Sequence, residues 1–225
     1  MRLEEVIPWG RNLNEYRRMF SLSAANLEKS ILGCSDGPAS FNAEMTQQGH
    51  SVISVDPIYE FSAEQIRQRI EAIYDTVISQ VKAQSERFVW KNFANADELG
   101  QSRLQTMTAF LRDYEQGKLE GRYQHQALPK LNFEDQQFEL CLCANFLFLY
   151  SDRLSQVFHL EALRELLRVA AEVRVFPLLD LMGDRSPYVE PVIEKLDAQN
   201  FKTRIKKVDY EFQRGGNEML VITSL

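Results

Sequence analysis

The sequence predicts an α/β fold in three layers, with helices on both sides of a seven-stranded, mostly parallel sheet. Two observations indicate this class. Short apolar segments alternate with helix-like segments over residues 30–57 and again over 124–199, which is typical of parallel strand–helix–strand units. The last two strand-like segments, 202–212 and 218–223, are joined by the glycine-containing loop 213–217, so we expect a final antiparallel hairpin.

Composition and charge exclude several classes of protein. The chain has 225 residues, of which 44% are hydrophobic and 26% charged, as expected for one globular domain or one domain with an inserted cap. The formal net charge is −6 and no block of Lys or Arg occurs, so the sequence carries no strong nucleic-acid signal and tight nonspecific binding of nucleic acid is not expected. No signal-peptide pattern or apolar run of roughly 20 residues occurs, so no membrane partner is expected.

The three cysteines, Cys34, Cys141 and Cys143, give no disulfide framework, so we expect a cytoplasmic protein. Cys141 and Cys143 are two residues apart in an apolar segment and therefore point to the same face of a strand. No fourth ligand follows at useful spacing, so no metal site is predicted. The cysteines are interpreted as small core side chains.

Residues 1–29 are predicted to form an N-terminal helical cap. Leu13, Tyr16 and Met19 recur at helical spacing, and Ser23 is placed to cap a further turn. Two arrangements remain open for this segment. It either folds over the mouth of a ligand site, which would make Tyr16 a substrate contact, or it packs against the edge of the sheet.

The most informative stretch is residues 30–57. A strand at Ile31-Leu32 leads into the small-residue loop 33–37, a helix follows to about Gln48, and a second strand ends in Asp56. A helix N-terminus beside a glycine loop offers free backbone N–H groups to a polar ligand. An acid about 20 residues further on can accept hydrogen bonds from ribose hydroxyls. The pattern predicts a nucleoside-bearing ligand.

This loop resembles motif I of the class I, Rossmann-like, S-adenosylmethionine (SAM)-dependent methyltransferases, and Asp56 resembles their ribose-binding acid. The motif usually has an acid at the end of the first strand, followed by Gly-x-Gly. This chain has Gly33 at the acid position and Ser35 at the first glycine, while Gly37 matches and Asp36 adds a charge inside the loop. The loop is therefore either a working SAM site or one retained only for the fold.

The resemblance continues in the second half of the chain. The stretch 128–140 and the helix-like segment 160–169 are similar to the segments around the family's fourth strand. Tyr123 begins a weak third strand, Phe138–Ala144 is a buried fourth, and a helix capped by Ser151 or Asp152 leads to a fifth strand at 172–179. Residues 30–60 and 124–225 would form the Rossmann-like domain.

Residues 61–123 are predicted to be a helical insertion between strands 2 and 3. Ser62 and Gln65 form a capping-box pattern, an apolar helical stripe follows, and a second helix runs from about Asp97 to Gln116. An insertion there lies near the carboxyl ends of the strands, where open α/β sheets bind ligands. It is either a substrate lid, with Trp90 among its pocket-facing residues, or a structural appendage or dimer surface.

The resemblance implies SAM as cofactor and implies a set of positions that hold it. Those positions are Gly33, Cys34, Ser35, Asp36, Gly37, Asp56, Pro57, Gln126, Asn145 and Phe146. A second set could contact the substrate, each with a structural alternative such as core packing or a turn. That set is Tyr16, Trp90, Tyr150, His159, Arg214 and Asn217.

The predicted function is SAM-dependent methyl transfer to an unidentified small or medium-sized molecule. No residue is assigned as catalytic base, because methyl transfer is an in-line displacement in which positioning of the acceptor supplies much of the catalysis. The alternative is a non-catalytic ligand-binding or scaffold protein that keeps the fold. No sequence feature indicates an oligomeric state.

Overall fold

The computed structural model describes residues 8–224, so the first seven residues of the predicted N-terminal cap lie outside the described part of the chain. One sheet forms the centre of the molecule. Its strands are β1 (Ile31–Cys34), β2 (Val52–Val55), β3 (Tyr123–Gln124), β4 (Phe138–Ala144), β5 (Ala170–Phe176), β6 (Phe201–Lys207) and β7 (Glu218–Ser224).

The strand order is β3-β2-β1-β4-β5-β7-β6, and β7 alone runs antiparallel to its two neighbours. This order confirms the predicted mostly parallel sheet with an antiparallel pair at its end. Strands β2 and β3 lie on one side of β1, and β4, β5, β7 and β6 lie on its other side. A crevice forms where the order reverses, outside the carboxyl ends of β1 and β4, and open α/β sheets bind ligands in that crevice.

Helices cover both faces of the sheet. They are α1 (Leu13–Met19), α2 (Ala24–Leu27), α3 (Phe41–Gln47), α4 (Ala63–Ala83), α5 (Ala96–Leu119), α6 (Gln156–Val169) and α7 (Val189–Asp197). The apolar residues of α6 and α7 pack on one face, and those of α1 and α3 pack on the other. None of the helices between residues 8 and 224 combines the length and apolarity needed to cross a lipid bilayer.

The central strands bury both of their faces, which is why they read as continuous apolar runs. In β4, Leu140 and Leu142 join the α1–α3 side, whereas Cys141 and Cys143 join the α6–α7 side. Cys34 of β1 lies in register with Cys143. All three cysteines are buried and free, as the interpretation of core side chains requires.

Helices α4 and α5 lie between β2 and β3. The predicted capping box is present at the start of α4, where the Ser62 and Gln65 side chains each bond the other's backbone N–H. Helix α5 is longer than its predicted range, because Asn95 caps it by accepting from the N–H groups of Asp97 and Glu98. The two helices pack on one another, and α5 also packs on α3.

Several other boundaries differ from the prediction, and β5 spans Ala170–Phe176 rather than 172–179. The third strand is only two residues long. Helix α6 begins after Ser155 rather than Ser151 or Asp152, because a 3-10 turn comes first and the Ser151 hydroxyl donates to Phe148 O, 2.6 Å away. Strand β6 ends at Lys207, so the segment from 208 to 217 is free to cross the end of the sheet.

Candidate functional site

A cavity of about 740 Å³ opens at the carboxyl ends of β1, β2 and β4. Its size lies in the range that small-molecule sites usually have. We call it the acidic cavity, because Asp36, Asp56 and Glu60 line it against Arg11 and Arg69. The remaining wall comes from residues around the end of β4, from the start of α4 and from the N-terminal segment.

The loop after β1 is a tight turn fastened to the neighbouring strand. Ser35 and Gly37 both have left-handed backbone angles, with φ of 58° and 57°. The Ser35 N–H donates to Val55 O at 2.8 Å, and the Gly37 N–H donates to the Asp56 carboxylate at 2.9 Å. A non-glycine residue in this conformation is strained, so Ser35 departs from the motif at an energetic cost.

Asp56 organises this end of the cavity. One of its oxygens accepts from the Gly37 N–H, and the other accepts from the Ile58 N–H at 2.8 Å, which caps the 3-10 turn after β2. Burial raises the pKa of Asp56 to about 6, against the opposing effect of these two backbone hydrogen bonds. Each carboxylate oxygen retains a further acceptor position.

Asp36 turns back into the protein instead of facing solvent. Its side chain is buried, and its two oxygens accept from Tyr16 Oη at 2.6 Å and Ser54 Oγ at 2.7 Å. Burial and, to a smaller extent, the nearby charge of Asp56 raise its pKa to about 7, against the opposing effect of both hydroxyl bonds. Over residues 8–224 neither Asp36 nor Asp56 forms an ion pair with Lys or Arg.

The Asp36 carboxylate occupies the space that a side chain at position 33 would need. A Cβ added to Gly33 would lie 1.8 Å from Asp36 Oδ2. Position 33 therefore accepts only glycine while Asp36 keeps this conformation. The Asp36 carboxylate thus lies where the side chain of an acid at position 33 would begin.

Tyr16 is fixed against Asp36 by its helix. Its ring stacks on Phe41 with centroids 4.1 Å apart. In the same helix Glu15 accepts from the buried guanidinium of Arg103 on α5 and, at 2.8 Å, from the hydroxyl of Tyr210. This buried cluster holds α1 against α5, so the Tyr16 hydroxyl has little freedom to leave the Asp36 carboxylate.

A second, smaller cavity of about 140 Å³ lies beside the first, at the carboxyl ends of β4 and β5. Arg11 and Arg87 line it, and no Asp or Glu of the described chain does, so we call it the basic cavity. Most of its wall is aromatic or aliphatic. Trp9, Arg11 and Asn145 belong to the walls of both cavities.

The structure brings most of the predicted cofactor residues together. The acidic cavity is lined by Ser35, Asp36, Gly37, Asp56, Pro57, Asn145 and Phe146, and by Tyr16 from the substrate set. Gly33 lies beneath the Asp36 carboxylate. Tyr150, predicted as a substrate contact, lines the basic cavity.

Two predicted cofactor contacts are placed elsewhere. The Cys34 side chain belongs to the core on the α6–α7 face, so it cannot reach the cavity. The Gln126 amide donates to Gln124 Oε1 at 2.8 Å and accepts from the Asn132 N–H at 2.7 Å, so both of its ends have partners within the protein. Ala127 and Leu128 line the cavity at this point instead.

Four predicted substrate contacts line neither cavity. His159 is buried with its ring nitrogens 2.8 and 2.9 Å from the carbonyl oxygens of Ser155 and Leu147, and burial lowers its pKa, so it is a packing residue. The Trp90 indole donates to Ser85 O at 2.9 Å.

Arg214 and Asn217 brace the segment after β6. The Arg214 guanidinium donates to Glu86 O at 3.2 Å, and the backbone carbonyl of Asn217 accepts from the Val208 N–H at 2.9 Å.

Sequence reasoning missed Trp9, Arg11 and Arg87, which line the basic cavity from segments that carry no motif.

No protein-family model matches the chain. An uncharacterized protein of Methanocaldococcus jannaschii is 35% identical over 223 residues, which cover 99% of this chain and 98% of that protein. Among solved structures, magnesium protoporphyrin IX methyltransferase from Synechocystis PCC 6803 with bound S-adenosylhomocysteine (SAH) superposes with a TM-score of 0.49 and 12% identity, over 95% of this chain and 81% of that one.

A TehB-like SAM-dependent methyltransferase from Corynebacterium glutamicum superposes with a TM-score of 0.47 and 13% identity, over 93% of this chain and 86% of that one. Fold assignment follows from the chain's own strand order and from its motif I loop with Asp56. The chain therefore belongs to one family with the Methanocaldococcus jannaschii protein, and this family has the Rossmann-like fold of the class I SAM-dependent methyltransferases.

Proposed function

We propose that this protein is a SAM-dependent methyltransferase that binds SAM in the acidic cavity and methylates a small or medium-sized molecule. One observation carries the proposal. Two carboxylates, the buried Asp36 and the half-buried Asp56, line a cavity of about 740 Å³ and form no ion pair with Lys or Arg within the described chain. Carboxylates of this kind favour a ligand that brings positive charge and hydrogen-bond donors.

The residues present fit SAM. Its ammonium and sulfonium groups are cationic, and Asp36 offers them a desolvated carboxylate in place of the acid absent at Gly33. Its ribose hydroxyls are donors, and Asp56 retains acceptor positions beyond its two backbone bonds. Pro57, Leu128 and Phe146 supply apolar wall for the adenine ring.

When bound, SAM supplies a methyl group on a positively charged sulfur. The acceptor would attack the methyl carbon in line with the carbon–sulfur bond, and the sulfur would leave as SAH. The tasks of the chain are then to hold the acceptor in place and to exclude water. Methyl transfer needs no dedicated base, so positioning is the contribution we assign to this site.

Helix α4 supports the proposal that residues 61–123 act as a lid. Its first turns, with Gln65 and Ile66, line the acidic cavity, whereas Val77 and Val81 line the basic one. SAH binding should slow hydrogen exchange in α4, while α7, which lines neither cavity, serves as the internal control. Protection confined to the loop 33–37 and to Asp56 would make the insertion a passive appendage.

Titration calorimetry with SAM and with SAH tests the proposal. We expect one ligand to bind per chain at micromolar concentration. A folded protein that binds neither ligand at millimolar concentration would favour the alternative, a non-catalytic protein of the same fold, for which the altered loop at Gly33 and Ser35 is the supporting observation.

A further inference from the structure

The basic cavity adjoins the proposed SAM site without belonging to it. The two cavities share Trp9, Arg11 and Asn145, and Asn145 directly follows β4 at the centre of the sheet. A molecule in the basic cavity would therefore contact the same three residues as a ligand in the acidic one. That placement suits the second substrate of a group-transfer reaction.

The size and the wall of the basic cavity indicate an apolar ring. Leu149, Phe176 and Phe212 form part of the wall, together with the α4 residues Val77 and Val81. Its volume is about 140 Å³. An apolar protein cavity of about 150 Å³ is large enough to bind benzene, so this one holds roughly one six-membered ring.

The charge of the cavity indicates an anion. Arg87 already donates to Gln84 Oε1 and Leu181 O, at 2.5 and 3.1 Å. Arg11 has fewer hydrogen-bond partners than Arg87. Within the described chain it donates only to Trp9 O, and its buried Nε has no hydrogen-bond partner.

One carboxylate, that of Glu15, acts on Arg11 from within this cluster and raises the pKa of the guanidinium. Arg103 is close enough to lower the pKa of Arg11, after burial itself, and Arg103 is paired with Glu15. Two arginines therefore share one carboxylate in this buried cluster. A guanidinium that shares its carboxylate with another arginine and leaves a buried Nε without a partner is costly, and an anionic ligand beside Arg11 would reduce that cost.

We infer that the basic cavity binds the methyl acceptor, and that this acceptor is a mainly apolar, ring-sized molecule with a carboxylate or similar anionic group held by Arg11. The inference rests on the proposed function. It assigns the two cavities to the two substrates, and it assigns Arg11 to acceptor binding.

Benzoate and benzamide are suitable probes, since they have nearly the same shape and differ in charge. Their affinities are measured by ligand-observed NMR on wild-type protein saturated with SAH. We expect benzoate to bind at least about tenfold more tightly than benzamide, because hydrogen bonds between charged partners are the strong ones. Equal affinities would overturn the inference.

Two arginine variants locate the effect. Arg11→Gln should reduce the benzoate preference to less than about threefold. Arg87→Gln is the matched control, because it removes a guanidinium of the same cavity whose donors already have partners, and it should retain most of the preference. If Arg11→Gln fails to fold, Arg11→Lys is the second variant, because it keeps the charge and should keep a benzoate preference above about threefold. A benzoate preference that survives Arg11→Gln would contradict the inference. Loss of the preference in Arg11→Lys would contradict it as well.

Failure of the inference is distinguishable from failure of the proposed function. Absence of SAH binding to the wild-type protein would reject the proposed function. SAH binding without a benzoate preference would reject only the assignment of the basic cavity.

Discussion

The two cavities at the carboxyl end of the sheet share a wall but differ in the sign of their buried charge. In the acidic cavity, the buried Asp36 and the half-buried Asp56 form no ion pair with Lys or Arg in the described chain, although Arg11 and Arg69 also line this cavity. In the basic cavity, Arg11 and Arg87 face apolar walls without an acid among the described lining residues. One crevice of the fold is thereby divided into two sites that suit ligands of opposite charge.

The difference follows from where each set of residues comes from. The carboxylates stand in the turns that directly follow β1 and β2, so the sheet itself fixes them. The arginines come from the segment before α1 and from the turn after α4, which pack over the sheet from outside. The fold thus supplies the acidic site, and the elements around it supply the basic one.

The largest expected effect is that of Gly33→Asp, which restores the acid of motif I at the end of β1 and disrupts the acidic cavity. Gly33→Asp would force a new side chain onto Asp36 Oδ2, which lies only 1.8 Å from the position its Cβ would take, and would bury a second negative charge. We expect a loss of about 3 kcal/mol or more in the free energy of unfolding, measured in urea. Adding Asp36→Ala should recover most of it, because the double variant vacates that space. A stable Gly33→Asp single variant would contradict the geometry of this loop.

Removing the other acid tests ligand contact. Asp56→Ala deletes a carboxylate whose hydrogen bonds to donors are worth about 1.5–3 kcal/mol each before compensation by water. The SAH affinity, measured by calorimetry, should fall at least about tenfold. Glu60→Gln is the control, because Glu60 lines the same cavity but is exposed, and its effect should stay below about threefold. Unchanged affinity in Asp56→Ala would reject its role.

The pH dependence of SAH affinity tests whether the Asp36 carboxylate contacts the ligand. A carboxylate with its pKa raised from 3.8 to about 7 is increasingly ionised as pH rises from 6 to 8, so binding of a cationic ligand should strengthen over this window. Other groups of the protein also titrate in this window, so the quantity of interest is the difference in SAH affinity between wild type and Asp36→Asn. We expect the variant to bind about tenfold more weakly at pH 8 and nearly equally at pH 6. Parallel profiles would show that Asp36 does not meet the ligand.

The same raised pKa has a consequence for the free protein. Between the ordinary pKa of 3.8 and about 7, the folded state binds more protons at Asp36 than the unfolded state does. The contribution of Asp36 to stability therefore falls as pH rises through this window and is constant above it. Asp36→Asn should remove that decline in urea denaturation experiments.

The smallest expected effect is that of Ser35→Gly, which changes the loop of the acidic cavity without changing the charge of either cavity. Ser35 has a left-handed φ of 58°, so Ser35→Gly should stabilise the protein by about 1 kcal/mol. SAH affinity should change by less than about twofold, because the Ser35 N–H keeps its bond to Val55 O. A large change in affinity would mean that the serine hydroxyl itself contacts the ligand.

Sequence reasoning succeeded where local chemistry determines structure. The apolar run of β4, the capping box at Ser62 and the place of Asp56 after β2 all depend on neighbours close in the chain. Those features are sufficient to predict the sheet and one side of the site.

The missed features depend on contacts between distant segments. The position of the Asp36 carboxylate requires the absent Cβ of Gly33 together with the hydroxyls of Tyr16 and Ser54. The basic cavity requires Arg11 to meet residues more than a hundred positions away. His159 was selected for its chemistry, yet two backbone carbonyls already bind its ring.

The most direct test of the charge division is an SAH titration carried out with and without saturating benzoate, on the same wild-type protein. If the two cavities are separate sites of opposite charge, SAH binds in both titrations and its Kd changes by less than about twofold. A Kd for SAH that rises in proportion to the benzoate concentration would show that both ligands compete for one site, and no SAH binding in either titration would contradict the acidic cavity as the SAM site.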